Sequence, residues 1–302
     1  VDKRSLTFIP EWKERIQPSS TNQGVKLSHV IFTGLTVNTS EIQKQLSNGV
    51  SITKINSSST KIADIYEEYT LAVFKQLKAI ASQKIEESIL VQVFISNDKS
   101  SLLHEGLVAL LKTVHAEFAK IQVQVIAIDP HFSSPLISKC IIENSQDIEF
   151  DAIQYIDNKK YVRHFTELTS TTIESLSPWR ENGVYLITGG LGEIGLIFAA
   201  EIAKATQSVK IILMGRSKLT DSNHTVIAKL TAMGAAIDYY QADVADEEAM
   251  TAAFKDIKIK FANLTGILHC AGVNHDNYII NKSEQEFKQV LSARSEEHTS
   301  EL

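Results

Sequence analysis

Glycines at 190, 192 and 195 follow an apolar run and precede an apolar helical pattern, in the stretch Leu186-Ile187-Thr188-Gly189-Gly190-Leu191-Gly192-Glu193-Ile194-Gly195. The chemistry such a turn offers is the binding of a pyrophosphate. The first of the three glycines permits the tight turn, the second lets the backbone approach the phosphates, and the third lets helix and strand pack closely. The helix that opens behind them presents free N–H groups and a partial positive charge to an anion. The candidate contacts are Thr188, Gly189, Gly190, Leu191, Gly192, Ile194 and Gly195.

A second group of residues bears on which dinucleotide would fit. The apolar run 209–214 ends in Gly215-Arg216-Ser217. That is about twenty residues past the third glycine, where a site for the unphosphorylated cofactor places Asp or Glu on the ribose hydroxyls. No acid stands there. Arg216 can pair with a 2′-phosphate as a charge-assisted donor, and Ser217 can add a hydroxyl. The spacing therefore favours NADP(H) over NAD(H). The plainer alternative is a solvated surface arginine.

Further along, Asp243 and Val244 end an apolar run, where a side chain can meet an adenine edge. Asp243 can also serve as the N-cap of a helix opening at Ala245 or Asp246. Ala271 and Gly272 are small, which lets the backbone lie against a ribose.

These residues need four strands and their crossover helices to bring them together. Residues 183–187, 209–214, 236–242 and 264–270 read as parallel strands, with a helix from 194 after the first. The expected sheet order is 3-2-1-4. The half before them alternates in the same way. Strands are predicted at 30–35, 51–55, 89–96 and 123–129, and helices at 60–85 and 102–120. Residues 150–156 and 160–168 flank the turn-like pair Asp157-Asn158 and read as a hairpin. No glycine-rich turn follows 89–96 or 123–129, so this half lacks the means to hold a nucleotide and reads as a brace for its neighbour.

Taken together, T-G-G-L-G-E-I-G, G-R-S, A-D-V and H-C-A-G-V resemble the ketoreductase domain of modular polyketide synthases, of the trans-acyltransferase type, within the complex branch of the short-chain dehydrogenase/reductase superfamily. Residues from Trp12 to about Leu168 resemble the catalytically silent subdomain that precedes the reductase half in that family. The resemblance implies an α/β fold of two Rossmann-like parallel-sheet halves, the second incomplete after about four strands. It implies domains at 1–178 and 179–293, with the boundary near Pro178 in a Ser/Thr-rich linker. It also implies NADPH-dependent reduction of the β-keto group of an acyl chain tethered to a carrier protein, with flanking synthase domains as partners. Glu193 departs from the family, which usually has glycine there. Its carboxylate favours a helix start and would repel a pyrophosphate unless it turns to solvent.

In that family a lysine just after the V-L-S segment, at about position 294, lowers the pKa of a tyrosine proton donor, and a serine orients the carbonyl. The expectation is that these three lie beyond the chain, so no catalytic residue is assigned and the chain alone is expected to be inactive. The tail 294–302 resembles a translated sequencing adapter and is set aside. An L-D-D motif after A-G-V marks family members that give the B-type alcohol. Its last position matches Asp276, while Asn274 and His275 depart from the first two, so Asp276 is the candidate in the substrate groove. Two other readings stay open: a non-catalytic structural or epimerising module, and an epimerase or dehydratase of the extended reductase group.

Composition narrows the setting. The chain has 302 residues, is 43% hydrophobic and carries a net charge of −6. No basic run occurs, which argues against nucleic acid. No apolar run reaches membrane-spanning length. The nine histidines show no metal-ligand spacing, and two distant cysteines, Cys140 and Cys270, suit the reducing cytoplasm.

Overall fold

Buried β-branched runs form the strands of this chain, and amphipathic stripes form the helices that cover them. The computed structural model describes residues 6–16, 24–98, 105–168 and 177–295. The linker residues 169–176 and the tail 296–302 therefore lie outside the described residues, as do 99–101 of the loop after the strand at 89–96. The chain divides into two compact units, Val1–Ser170 with Asp276–Glu284 and Thr171–His275 with Gln285–Leu302.

The first unit contains β1 (Phe8–Glu14), β2 (Lys26–Thr33), α1 (Thr39–Gln43), β3 (Ser51–Ile55), α2 (Ile62–Ala81), β4 (Ile89–Ser96), α3 (Glu105–Glu117), β5 (Ile121–Ile128), α4 (Ser134–Gln146), β6 (Ala152–Ile156) and β7 (Lys159–Glu167). They form a seven-stranded sheet in the order β1-β7-β6-β5-β4-β2-β3. The strands from β3 to β6 run parallel, and β7 and β1 add an antiparallel ribbon at one edge. β4 is buried over nearly its whole length, which is what helices on both faces of a parallel sheet require. The hairpin turn is Asp157-Asn158, both at positive φ, as a two-residue turn of the mirror-image type demands.

Two glutamines sit in the middle of this sheet. Gln92 on β4 donates from Nε2 to Gln124 Oε1 at 3.0 Å, and Gln124 on β5 donates to the Asp147 carbonyl at 2.8 Å. They satisfy backbone oxygens at the end of α4 that would otherwise be stranded in the core. Asp147 is itself buried and receives Lys160 at 3.0 Å and Arg15 at 3.5 Å. The unit is thus braced by polar pairs as well as by its apolar core.

The second unit follows the expected pattern closely. It contains β8 (Val184–Thr188), α5 (Glu193–Ala205), β9 (Lys210–Gly215), α6 (Asp221–Ala232), β10 (Ala236–Gln241), α7 (Glu247–Phe261), β11 (Gly266–His269) and α8 (Glu284–Ser295), the last beginning in the first unit. The sheet has four parallel strands in the order β10-β9-β8-β11. Counted in sequence within this unit, that order is the expected 3-2-1-4. Leu186, Ile212 and Met214 pack on one face with Met250 and Phe254 of α7, while Ile187, Ile211 and Leu213 pack on the other with Ala199 and Ile202 of α5. Alternate residues of β8 and β9 therefore serve opposite layers. The helix after β10 begins at Glu247, and its N-cap is Asp246, whose Oδ1 accepts from the Ala249 amide at 3.0 Å. Asp243 is not the cap. Its Oδ1 instead accepts from the Ala245 amide at 3.1 Å in the turn before the helix.

Candidate functional site

The glycine turn joins β8 to α5 and its backbone allows almost no substitution. Gly189 has φ +62°, and a Cβ there would lie 2.7 Å from the Cys270 carbonyl and 2.8 Å from the Ala271 backbone. A Cβ on Gly190 would lie 2.8 Å from the Ile187 carbonyl, and one on Gly195 would lie 2.5 Å from the Gly189 carbonyl. Gly192 differs, because its Cβ would meet only the Gly189 carbonyl, at 3.1 Å. Three glycines thus close the turn upon itself and upon the loop after β11, and the fourth leaves the mouth open.

Gly192 is the N-cap of α5 and has no side chain with which to cap it. The amides of the first turn are left for another acceptor, the arrangement that suits a phosphate. Glu193 is the first helical residue; it is exposed and does not line the cleft described next, so its carboxylate is turned to solvent.

In front of the turn is a cleft of about 520 Å³. Gly189, Leu191 and Gly192 line it from the turn between β8 and α5, Arg216 and Ser217 from the turn after β9, Asp243 and Val244 from the loop after β10, and Ala271 and Gly272 from the loop after β11. Nine of the residues singled out from the sequence therefore meet in one cavity. Thr188, Gly190, Ile194 and Gly195 do not line it. Thr188 is fully buried beneath the turn, where its Oγ1 lies 2.8 Å from His269 Nδ1 and accepts from the Ala271 amide at 3.3 Å. It ties β8 to β11 and so fixes the loop that carries Ala271 and Gly272. Ile194 lies on the exposed side of α5. Asp276 falls in the segment Asp276–Glu284 of the other unit and is not among the residues of the cleft.

Charge in the cleft is concentrated at the end of β9. Arg216 Nη1 lies 3.9 Å from Asp243 Oδ2, with the arginine side chain largely exposed and the aspartate partly so, so the pair is weak and open to exchange. Lys218 also lines the cleft and was not singled out from the sequence. With Arg216 it makes a pair of cations beside Ser217. Thr220 and Asn223 lie on the same rim, where they form the capping box of α6. Burial pushes the Cys270 thiol up, and the residue packs against the core beside β8, which is the position of an inert cysteine rather than a nucleophile. Among the described residues there is no cluster of His, Cys, Asp or Glu able to hold a metal ion and no helix long and apolar enough to cross a membrane.

The arrangement is similar to that of known proteins. Residues 183–297 match the family model described as the KR domain. The chain is 31% identical over 297 residues to polyketide synthase PksN of Bacillus subtilis (strain 168), which covers 97% of this chain and 5% of that protein. It is 29% identical over 290 residues to polyketide synthase PksL of the same organism, covering 96% of this chain and 6% of that protein. The chain thus spans a small part of the curated relatives it matches. The crystal structure of a ketoreductase domain from the bacillaene assembly line superposes with a TM-score of 0.83 at 29% identity, covering 98% of this chain and 70% of that one. An N-terminal ketoreductase from the macrolactin assembly line shares the fold, with a TM-score of 0.64 at 21% identity over 95% of this chain and 69% of that one.

Proposed function

We propose, for a chain that belongs to the ketoreductase family of polyketide synthases, that its second unit binds NADPH for reduction of a β-ketoacyl group tethered to an acyl carrier protein. The observation that carries the proposal is the cleft itself. It brings together an uncapped helix start, a turn whose Gly189, Gly190 and Gly195 have no room for a Cβ, and the two cations Arg216 and Lys218. The donor set fits a dinucleotide with an additional phosphate. The first amides of α5, from Glu193 on, would take the pyrophosphate beside Gly192. Arg216, Ser217 and Lys218 would take the 2′-phosphate, with Asp243 and Val244 at the adenine. Ala271 and Gly272 would lie against the ribose.

When bound, NADPH would supply the hydride for the β-carbonyl. The residues of this chain hold and orient it. In the family the proton comes from a tyrosine, but the tyrosine that lines this cleft, Tyr239, directs its hydroxyl to the Ser217 carbonyl at 2.5 Å. Our reading is that turnover needs the lysine, serine and tyrosine of the family, and we expect the 302-residue polypeptide to bind without turnover. Flanking synthase domains are the proposed partners, and the cytoplasm is the proposed setting.

Calorimetric titration checks this directly. NADPH should bind at least tenfold more tightly than NADH, as expected for a 2′-phosphate meeting charged donors. Equal affinities would remove the NADP(H) reading, and ketone reduction by this polypeptide would place a proton donor within it. Asp276 remains our proposed selector of the carbonyl face. The full-length parent should give the B-type 3-hydroxyacyl product, usually of D configuration, and a predominantly L product on chiral analysis would dismiss that role.

A further inference from the structure

Three successive carbonyls at the end of β9 are held from the neighbouring strand. Gly215 O accepts from the Ala242 amide at 3.0 Å and lies 3.1 Å from the Tyr239 hydroxyl oxygen. Arg216 O accepts from Gln241 Nε2 at 3.1 Å. Ser217 O accepts from the Tyr239 hydroxyl at 2.5 Å. The Ala242 contact extends the ladder between β9 and β10, whose last paired residues are Gly215 and Gln241. The other contacts are made by side chains and reach past the end of the sheet.

These contacts have a consequence for the amides. In a trans peptide the carbonyl of one residue and the N–H of the next point in opposite directions. With the carbonyls of 215, 216 and 217 turned to β10, the N–H groups of Arg216, Ser217 and Lys218 turn the other way. Consecutive amides oriented together form a concavity that favours an anion. The side chains of Arg216 and Lys218 stand in the same cleft.

We propose that Tyr239 is a positioning residue for recognition of a phosphomonoester, its hydroxyl holding the Gly215–Ser217 turn in the form that presents Arg216, Ser217 and Lys218 to the 2′-phosphate. The inference rests on the NADP(H) reading of the cleft and adds to it the device that shapes its selective end. Gln241 is a second, weaker holder of the same turn. Burial pushes the Tyr239 phenol up, so the hydroxyl keeps its proton and remains a donor at neutral pH. The ring packs against the core on the α5 side of the sheet, so removal of the oxygen alone leaves that packing in place.

The test uses the full 302-residue chain and two small probes, 2′,5′-ADP and 5′-AMP, titrated by calorimetry into the wild type, Tyr239→Phe and Gln241→Ala. Thermal melts confirm that each variant is folded. Tyr239→Phe should weaken 2′,5′-ADP roughly three- to tenfold, the range of one hydrogen bond, and change 5′-AMP less than about twofold. Gln241→Ala should show the same selectivity with a smaller loss, and it carries the test if Tyr239→Phe does not fold. If the wild type prefers 2′,5′-ADP and both folded variants keep that preference, or lose affinity equally for both probes, the positioning role is overturned and the cofactor reading stands. A wild type that binds the two probes alike overturns the cofactor reading and this inference with it.

Discussion

Replacing Gly192 with alanine is expected to abolish tight NADPH binding in a chain that keeps its stability, whereas alanine at Gly189 is expected to destabilise the second unit severely. The difference lies in what each added methyl meets. At Gly189 two penalties combine. The residue has φ +62°, a left-handed conformation that costs a residue with a Cβ about 1–2 kcal/mol. Its Cβ would also press on the Cys270 carbonyl and the Ala271 backbone at 2.7–2.8 Å, atoms that cannot swing aside as a side chain would. Overpacking of this kind costs about 1–3 kcal/mol. Together these take a large part of the stability of an ordinary domain, about 5–15 kcal/mol. The urea midpoint of the second unit should fall sharply in Gly189→Ala.

At Gly192 the only neighbour is the Gly189 carbonyl at 3.1 Å, which a shift of a few tenths of an ångström relieves. Yet Gly192 lines the cleft and caps α5, so the methyl stands where the phosphates must approach the amides. The midpoint should move by less than about 1 kcal/mol of stability, while NADPH affinity falls by at least about tenfold. A Gly192→Ala chain that binds NADPH normally would move the pyrophosphate away from this turn.

The contrast between these glycines also shows where the sequence was sufficient. The period of the apolar runs and the glycine spacing are local signals, and they led to β8–β11, the sheet order and the turn. What was not legible depends on distant partners. β1 has Pro10 in its middle and Glu11, Lys13 and Glu14 after it, with most of its residues exposed, so nothing local marks it as a strand. It exists through its pairing with β7, from Phe8 opposite Glu167 to Glu14 opposite Tyr161. α4 was missed for a different reason. Its buried residues Ile137, Cys140, Ile141 and Asn144 lie on one stripe, but Ser and Asn within it compete for backbone hydrogen bonds and blur the pattern.

The site shows the same division. Thr188 and Gly195 belong to the motif yet lie beneath the cleft, because a strand end and a helix start must be tied together before they can present amides. Ile194 was grouped with them by position in the motif, and the helical rotation of about 100° per residue carries it to the outer face. Lys218 had no signal at all. It follows G-R-S by one residue, and a turn there can point it anywhere. Tyr239 and Gln241, more than twenty residues later, fix that turn, and neither is a recognisable partner until β9 and β10 are side by side.

Arg216 and Lys218 together should determine which cofactor is preferred. A hydrogen bond to a charged group contributes about 1.5–3 kcal/mol, a factor of roughly ten to a hundred in affinity. Arg216 is largely exposed in the free chain, so the lower end applies after screening. Arg216→Ala should raise the NADPH dissociation constant about tenfold, and Lys218→Ala about threefold. The two cations would grip one phosphate, so the double variant should lose about thirtyfold if they act independently, more if either compensates for the other, and less if each needs the other in place. NADH binding should change less than about twofold in all three. Salt supplies an independent check, since exposed charges are screened within about 10 Å at 0.1 M and within about 3 Å at 1 M. The wild-type preference for NADPH should therefore shrink as salt is added, and the double variant should show almost no preference to lose. Asp243 sets the competing outcome. It already sits 3.9 Å from Arg216, and if that pair were the arginine's whole purpose, Arg216→Ala would affect NADPH and NADH alike. A parallel fall for both cofactors would assign Arg216 to bracing the loop after β10 and leave the 2′-phosphate to Lys218 alone.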